Sequence, residues 1–132
     1  MARNMDVPYL VPRDIDERIF QFACRAVDIY ALLVERGGAS REVARQFLRA
    51  ATSIGANAAE ANAGQTKPDF LAKLGVARKE CRETLFWLRL IEAKTLLPKA
   101  PIGGDLDEIR QIAAILTAIV KKGRESEGRG GE

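Results

Sequence analysis

The sequence predicts an all-α protein, an antiparallel up-down four-helix bundle in a single domain. Three observations carry that expectation. Apolar residues recur at spacings of three and four along four separate stretches, the period of a helix face. The connectors between them are short and rich in glycine and proline, and no stretch alternates as a strand would. At 132 residues the chain is long enough for one core and shows no second zone of composition.

The first helix is expected over about Asp14–Arg36, with Asp14 and Glu17 as a capping-box-like start. Its seam is Ile15, Ile19, Phe22, Ala26, Ile29 and Leu33, and Gly37-Gly38 stops it. Ser40 is the expected cap of a second helix, Arg41–Asn62, with Val43, Phe47, Ala51, Ile54, Ala58 and Ala61 inward and Gly64 closing it. Thr66 caps the third, Lys67–Leu96, where Pro68 suits the first turn. Phe70, Leu74, Ala77, Cys81, Leu85, Leu88 and Ile91 form its seam. Pro98, Pro101 and Gly103-Gly104 break the chain, and Asp105 is the expected cap of the fourth helix. Ile109, Ile112, Ala113, Leu116, Ile119 and Val120 face inward there. Residues 1–13 read as an N-terminal extension, 14–123 as the bundle and 124–132 as a disordered charged tail.

Composition excludes several functions. The chain has no histidine, so no Ser-His-Asp triad, Cys-His pair or His-ligated metal site is available. No glycine-rich phosphate loop follows a strand. Cys24 and Cys81 have no metal or redox spacing, which suits a reducing cytoplasm. The first 13 residues have no apolar run of a signal peptide, and no segment approaches the ~20 apolar residues of a membrane span. The expectation is a cytoplasmic non-enzyme with no cofactor, no metal, no small-molecule substrate and no membrane partner. The net charge of +3 permits an acidic partner without demanding one.

Three sets of residues are candidates for function. Ser53, Asn57 and Glu60 lie on one strip of the alanine-rich second helix. They form either a ligand or RNA contact or, as favoured, a structural network with Glu60 paired to an arginine of the third helix. Glu80 and Glu83 with Glu60 form a far weaker acid/base reading, against ordinary ion pairing. Val76, Phe86, Trp87 and Leu90 lie away from the third helix's seam and suggest a subunit interface, against a merely widened core stripe. Arg41, Arg45 and Arg49 form one basic strip. Arg78, Arg82 and Arg89 form another, within about 40° on an ideal wheel. Such rows can follow a phosphate backbone, or they are a solvated face paired with Glu42 and Glu83. Lys121, Lys122, Arg124 and Arg129 add positive charge toward the C-terminus.

The run Arg45-Gln-Phe-Leu-Arg-Ala-Ala-Thr-Ser-Ile-Gly-Ala-Asn-Ala-Ala-Glu60 resembles the signature of the bacterial four-helix bundle proteins also called 23S rRNA intervening-sequence (S23-like) proteins. The third-helix stretches Phe70–Glu80 and Arg82–Leu90 look like one branch of that family. Ala58 stands where the family often has isoleucine, and Ala61 where it often has glycine. The resemblance, over roughly Ile15–Val120, implies a compact bundle that assembles as a homopentamer. It also implies members encoded within ribosomal RNA gene insertions and relatives serving as basic accessory factors of reverse transcriptases in diversity-generating retroelements. No firm biochemical activity comes with it. The expected function is therefore a non-enzymatic oligomer that binds structured RNA or other nucleic acid through basic helix faces, where repeated strips add through avidity. The alternative is a protein-interaction scaffold.

Overall fold

A computed structural model describes residues 9–64 and 66–130. Four helices account for nearly all of it: α1 (Arg13–Glu35), α2 (Gly38–Ala63), α3 (Lys67–Ala93) and α4 (Gly103–Gly130). There is no strand among the described residues. Each helix packs on its neighbours in chain order, and α4 closes the ring by returning to α1. Short connectors force each helix to run antiparallel to the one before it, which is the up-down bundle expected.

The predicted seams form the core. All six seam residues of α1 are buried, and so are Phe47, Ala51, Ile54, Ala58 and Ala61 of α2. Val43 and Leu85 are half-buried, whereas Ala44, Ala50, Leu71 and Thr84 are fully inside. Burial follows a broad stripe, so residues one position beside a predicted seam close over it. Ile102, Leu106, Ile109, Ile112, Leu116 and Val120 complete the core from α4, with Ala113 and Ile119 at its margin. The small side chains of α2 let its backbone approach α1: a Cβ at Gly55 would sit 3.6 Å from Ile19.

Helix ends depart from expectation in instructive ways. Thr66 caps α3 as predicted, its hydroxyl accepting from Asp69 N–H at 3.2 Å, but α3 ends at Ala93. Ser40 is not a cap. Gly37 (φ 67°) reverses the chain, α2 starts at Gly38, and Ser40 is buried inside its first turn. Asp14 makes no cap either, since α1 starts at Arg13 behind Pro12. Asp105 is also inside its helix. Leu106 N–H already donates to Ile102 C=O at 3.0 Å, which leaves the Asp105 carboxylate free to bind Arg25 of α1. Ion pairing across helices overrode the local capping signal in that case.

The two ends of the chain also extend the bundle. Val11 is buried, and its N–H donates to Asn62 Oδ1 at 2.7 Å. Tyr9 stacks at a tilt on Phe70, ring centres 6.3 Å apart. Residues 9–13 thus belong to the folded unit, while residues 1–8 of the expected extension lie outside the described residues. At the other end α4 continues to Gly130, through the expected stop at Gly123. Gly123 serves packing there: a Cβ would come within 2.5 Å of Leu71, so the helix lies close on α3. The last two residues of the expected tail lie outside the described residues.

Candidate nucleic-acid interface

The polar strip of α2 splits into two parts. Asn57 Nδ2 donates to the Ser53 carbonyl at 2.9 Å and to its hydroxyl at 3.1 Å, one turn back on its own helix. Ser53 in turn donates to Glu80 Oε2 of α3 at 3.3 Å. Glu60 takes no part in this. It pairs with Lys73 at 2.7 Å on a side chain that is 60% exposed, so the predicted arginine partner is a lysine at the rim. Ser53 and Asn57 are therefore half-buried network members, and Glu60 is a surface ion pair.

Glu80 and Glu83 are committed to that same α2–α3 seam. Arg49 reaches from α2 to both carboxylates, at 3.6 Å to Glu80 and in direct contact with Glu83. The Trp87 indole N–H donates to Glu83 at 3.2 Å. That hydrogen bond first, and then Arg49, hold the Glu83 carboxyl below the ordinary carboxylate range. One oxygen of Glu80, Oε1, is buried without a protein partner. Burial, and then the neighbouring Glu80, push the Cys81 thiol up to about 12, so it is an unreactive core side chain. Among the described residues no cluster of three or more His, Cys, Asp or Glu could hold a metal.

The two predicted arginine strips have different fates. On α2, Arg49 is neutralised by Glu80 and Glu83, and Arg45 pairs with Glu42 at 3.4 Å. Arg41 is exposed at the start of that helix. On α3, Arg82 and Arg89 are exposed and Arg78 is half-buried, and none has an ion pair among the described residues. Among the described residues the α2 strip keeps only Arg41 unpaired, whereas the α3 strip keeps all three of its charges so. Helical geometry places it on the flank of α3 that borders α4, because Glu80, Glu83 and Lys73 occupy the flank toward α2.

The outward apolar residues of α3 stay partly open. Val76 is 41% and Phe86 55% exposed, with Phe86 packed edge-on against Trp87 at 4.9 Å. Trp87 and Leu90 are half-buried, and Trp87 packs on the core as well. The patch therefore centres on Phe86, not on Trp87. A second apolar set on α1, Phe20, Val27 and Leu32, was missed at the level of sequence and is 60%, 52% and 42% exposed. Phe20 borders an open groove of about 450 Å³ between α1 and α2, floored by Gly55, Ala56 and Ala59.

The bundle, its alanine-rich second helix and its third-helix pattern agree with one family, 23S rRNA-intervening sequence protein, which matches residues 14–118. The chain belongs to that family. A crystal structure from Bacteroides thetaiotaomicron VPI-5482, described as a protein with unknown function from the S23 ribosomal protein family, is similar at 32% sequence identity. The similarity covers 81% of this chain and 95% of that one, with a TM-score of 0.74. No curated protein matches the chain. Membership accounts for the fold and leaves the activity open, since the similar structure is itself of unknown function. Among the described residues, no helix is long and apolar enough to cross a membrane.

Proposed function

We propose that this protein is a non-enzymatic, cytoplasmic, self-associating helical bundle that binds nucleic acid, structured RNA in the first place, through the basic flank of α3. The observation that carries the reading is the unpaired row Arg78, Arg82 and Arg89. Arginines left without carboxylates on a folded surface are available to phosphates, and rows of them follow a backbone without reading bases. The α2 strip contributes less, because Arg45 and Arg49 already have acidic partners. The family's name, which ties it to insertions in ribosomal RNA, favours RNA over DNA.

Self-association, to a homopentamer as the family resemblance implies, would use the outward face of α3 around Phe86. A ring would repeat the arginine row once per subunit, so that weak contacts reinforce one another. The second reading is a protein-interaction scaffold, favoured by the exposed apolar residues Phe86 on α3 and Phe20 on α1.

One experiment separates the two. Fluorescence anisotropy with two unrelated structured RNAs across a salt series, on protein whose mass is checked by light scattering, measures phosphate contacts. The expected result is a linear fall of log affinity with log salt. Replacing Arg78, Arg82 and Arg89 together by glutamine should weaken both RNAs alike. Absence of binding at low salt from an assembled protein would overturn the RNA reading and favour the scaffold.

A further inference from the structure

Three of the four helix seams are occupied in ways that explain themselves. The α1–α4 seam carries Arg18–Glu108 at 2.8 Å and Arg25–Asp105 at 3.0 Å. The α2–α3 seam carries Arg49 with Glu80 and Glu83, and Lys73 with Glu60. The α1–α2 seam is lined by small side chains. The α3–α4 seam shares with α1–α2 the lack of an ion pair among the described residues, but differs in that both of its helices present cations there.

The reason is legible in α4. Between Ile109 and Arg124 it has no aspartate or glutamate at all, but it carries Arg110, Lys121, Lys122 and Arg124. Glu108 faces α1, where it binds Arg18. On a wheel of ~100° per residue, Arg110, Lys121 and Arg124 then fall within about 60° of one another on the opposite flank, toward α3. Two contacts fix the pairing of the helices. Gly123 lies against Leu71, and the Arg124 guanidinium reaches across to Gly75, 3.9 Å from where a Cβ would stand. From there the antiparallel run sets Arg78 beside Lys121 and Arg89 beside Arg110. Arg124 is drawn over the seam toward a row of other cations. The neighbouring exposed carboxylates Glu92, Asp107 and Glu125 make no ion pair with either row among the described residues, which leaves six cations short of counter-charge.

Resting on the phosphate-binding reading of α3, we infer that the α3–α4 face as a whole is the nucleic-acid site. Arg110, Lys121 and Arg124 are its second row, and the ligand is the backbone of paired RNA. Two rows flank the seam, each some 16–21 Å long at a rise of ~1.5 Å per residue. The strip between them runs over Leu85, Ala113 and Thr117, and Phe86, 55% exposed, stands at the outer edge of the α3 row in a shallow groove with Arg89. Proteins that hold single strands stack successive bases on a series of aromatic side chains, and one ring at the edge of the row is not such a series. Paired RNA keeps its bases inside and offers phosphates and 2′-hydroxyls, which suits a flat cationic face.

The test measures anisotropy of the full chain with a labelled 20-base-pair RNA duplex and with one unstructured strand of the same length. The variants are Arg78→Gln/Arg82→Gln/Arg89→Gln and Arg110→Gln/Lys121→Gln/Arg124→Gln. Glutamine is a good helix former, and Arg82, Arg89 and all three α4 positions are exposed, so thermal melts should confirm both as folded. The expected result is that each triple variant loses about tenfold or more in duplex affinity and that each lowers the salt slope by roughly two to three. If the α3 variant loses binding and the α4 variant matches the parent, the second row is wrong and the α3 reading stands. If the single strand binds more tightly than the duplex, the assignment to paired RNA is overturned. If the parent binds neither RNA, the underlying reading fails.

Discussion

The two flanks of α3 use the same residue type to opposite ends. Toward α2, Arg49 is held by Glu80 and Glu83, and Ser53 and Trp87 donate one hydrogen bond each to those carboxylates. Toward α4, Arg78, Arg82 and Arg89 make no ion pair among the described residues. The first flank is a seam that spends its charge on holding two helices in register. The second leaves its charge to solvent, at a cost in mutual repulsion that the fold itself does not need. An arginine strip thus acquires its meaning from the neighbouring helix, not from its own spacing.

If that contrast is right, stability should respond to one flank and not to the other. Glu80→Ala should lower unfolding free energy by about 1–3 kcal/mol, because it removes the acceptor of a half-buried network and leaves the Ser53 hydroxyl without its partner, while Arg49 keeps Glu83. Arg82→Gln should stay within about 0.5 kcal/mol of the parent. Urea unfolding compares them directly. Equal losses would erase the distinction between the flanks.

A smaller effect should appear in acid. Glu83 has its carboxyl held below the ordinary carboxylate range, first by Trp87 and then by Arg49, and Glu108 is held below it by Arg18. A depressed carboxyl contributes stability that is fully present above the unfolded value and is lost as pH falls through the lower folded value. Melting temperature should therefore drop as pH falls below the ordinary carboxylate range, and Glu83→Gln should blunt the drop. Glu83 is over a third exposed, so solvent screening keeps its share below about 1 kcal/mol. Arg82→Gln should leave the acid limb unchanged, because Arg82 has no carboxylate partner among the described residues. A blunted limb in that variant would show a hidden acidic partner.

The smallest effect sharpens the first flank from within. The Glu60–Lys73 pair lies at its rim with both side chains well exposed. Glu60→Gln should change stability by less than ~0.5 kcal/mol, in contrast to Glu80→Ala. A larger loss would place Glu60 back in the network with Ser53 and Asn57.

Much of the candidate site was legible one helix at a time. The spacing of Arg78, Arg82 and Arg89 is a property of a single helix, and so is the outward turn of Phe86. The acid-free stretch of α4 is also visible in the sequence, but with Gly123 as the expected helix end Lys121, Lys122 and Arg124 read there only as positive charge toward the C-terminus, and Arg110 is not singled out. Gly123 is instead a close-packing position under Leu71. The Val11–Asn62 hydrogen bond spans 51 residues, and no local signal announces such a pair.

Taken alone, the sequence determined the four helices, their inward faces and the up-down bundle, because apolar periodicity and short connectors leave little choice once hydrophobic surface must be buried. It determined the cap at Thr66, where the hydroxyl is three residues from the N–H it binds. Only the tertiary structure decided which charges are spent. Ser40 and Asp105 read as caps and became interior residues, and the arginines of α2 and α3 read alike and parted company. Local signals are energies of about 1 kcal/mol, and partners brought across a seam by the packing of the core outweigh them.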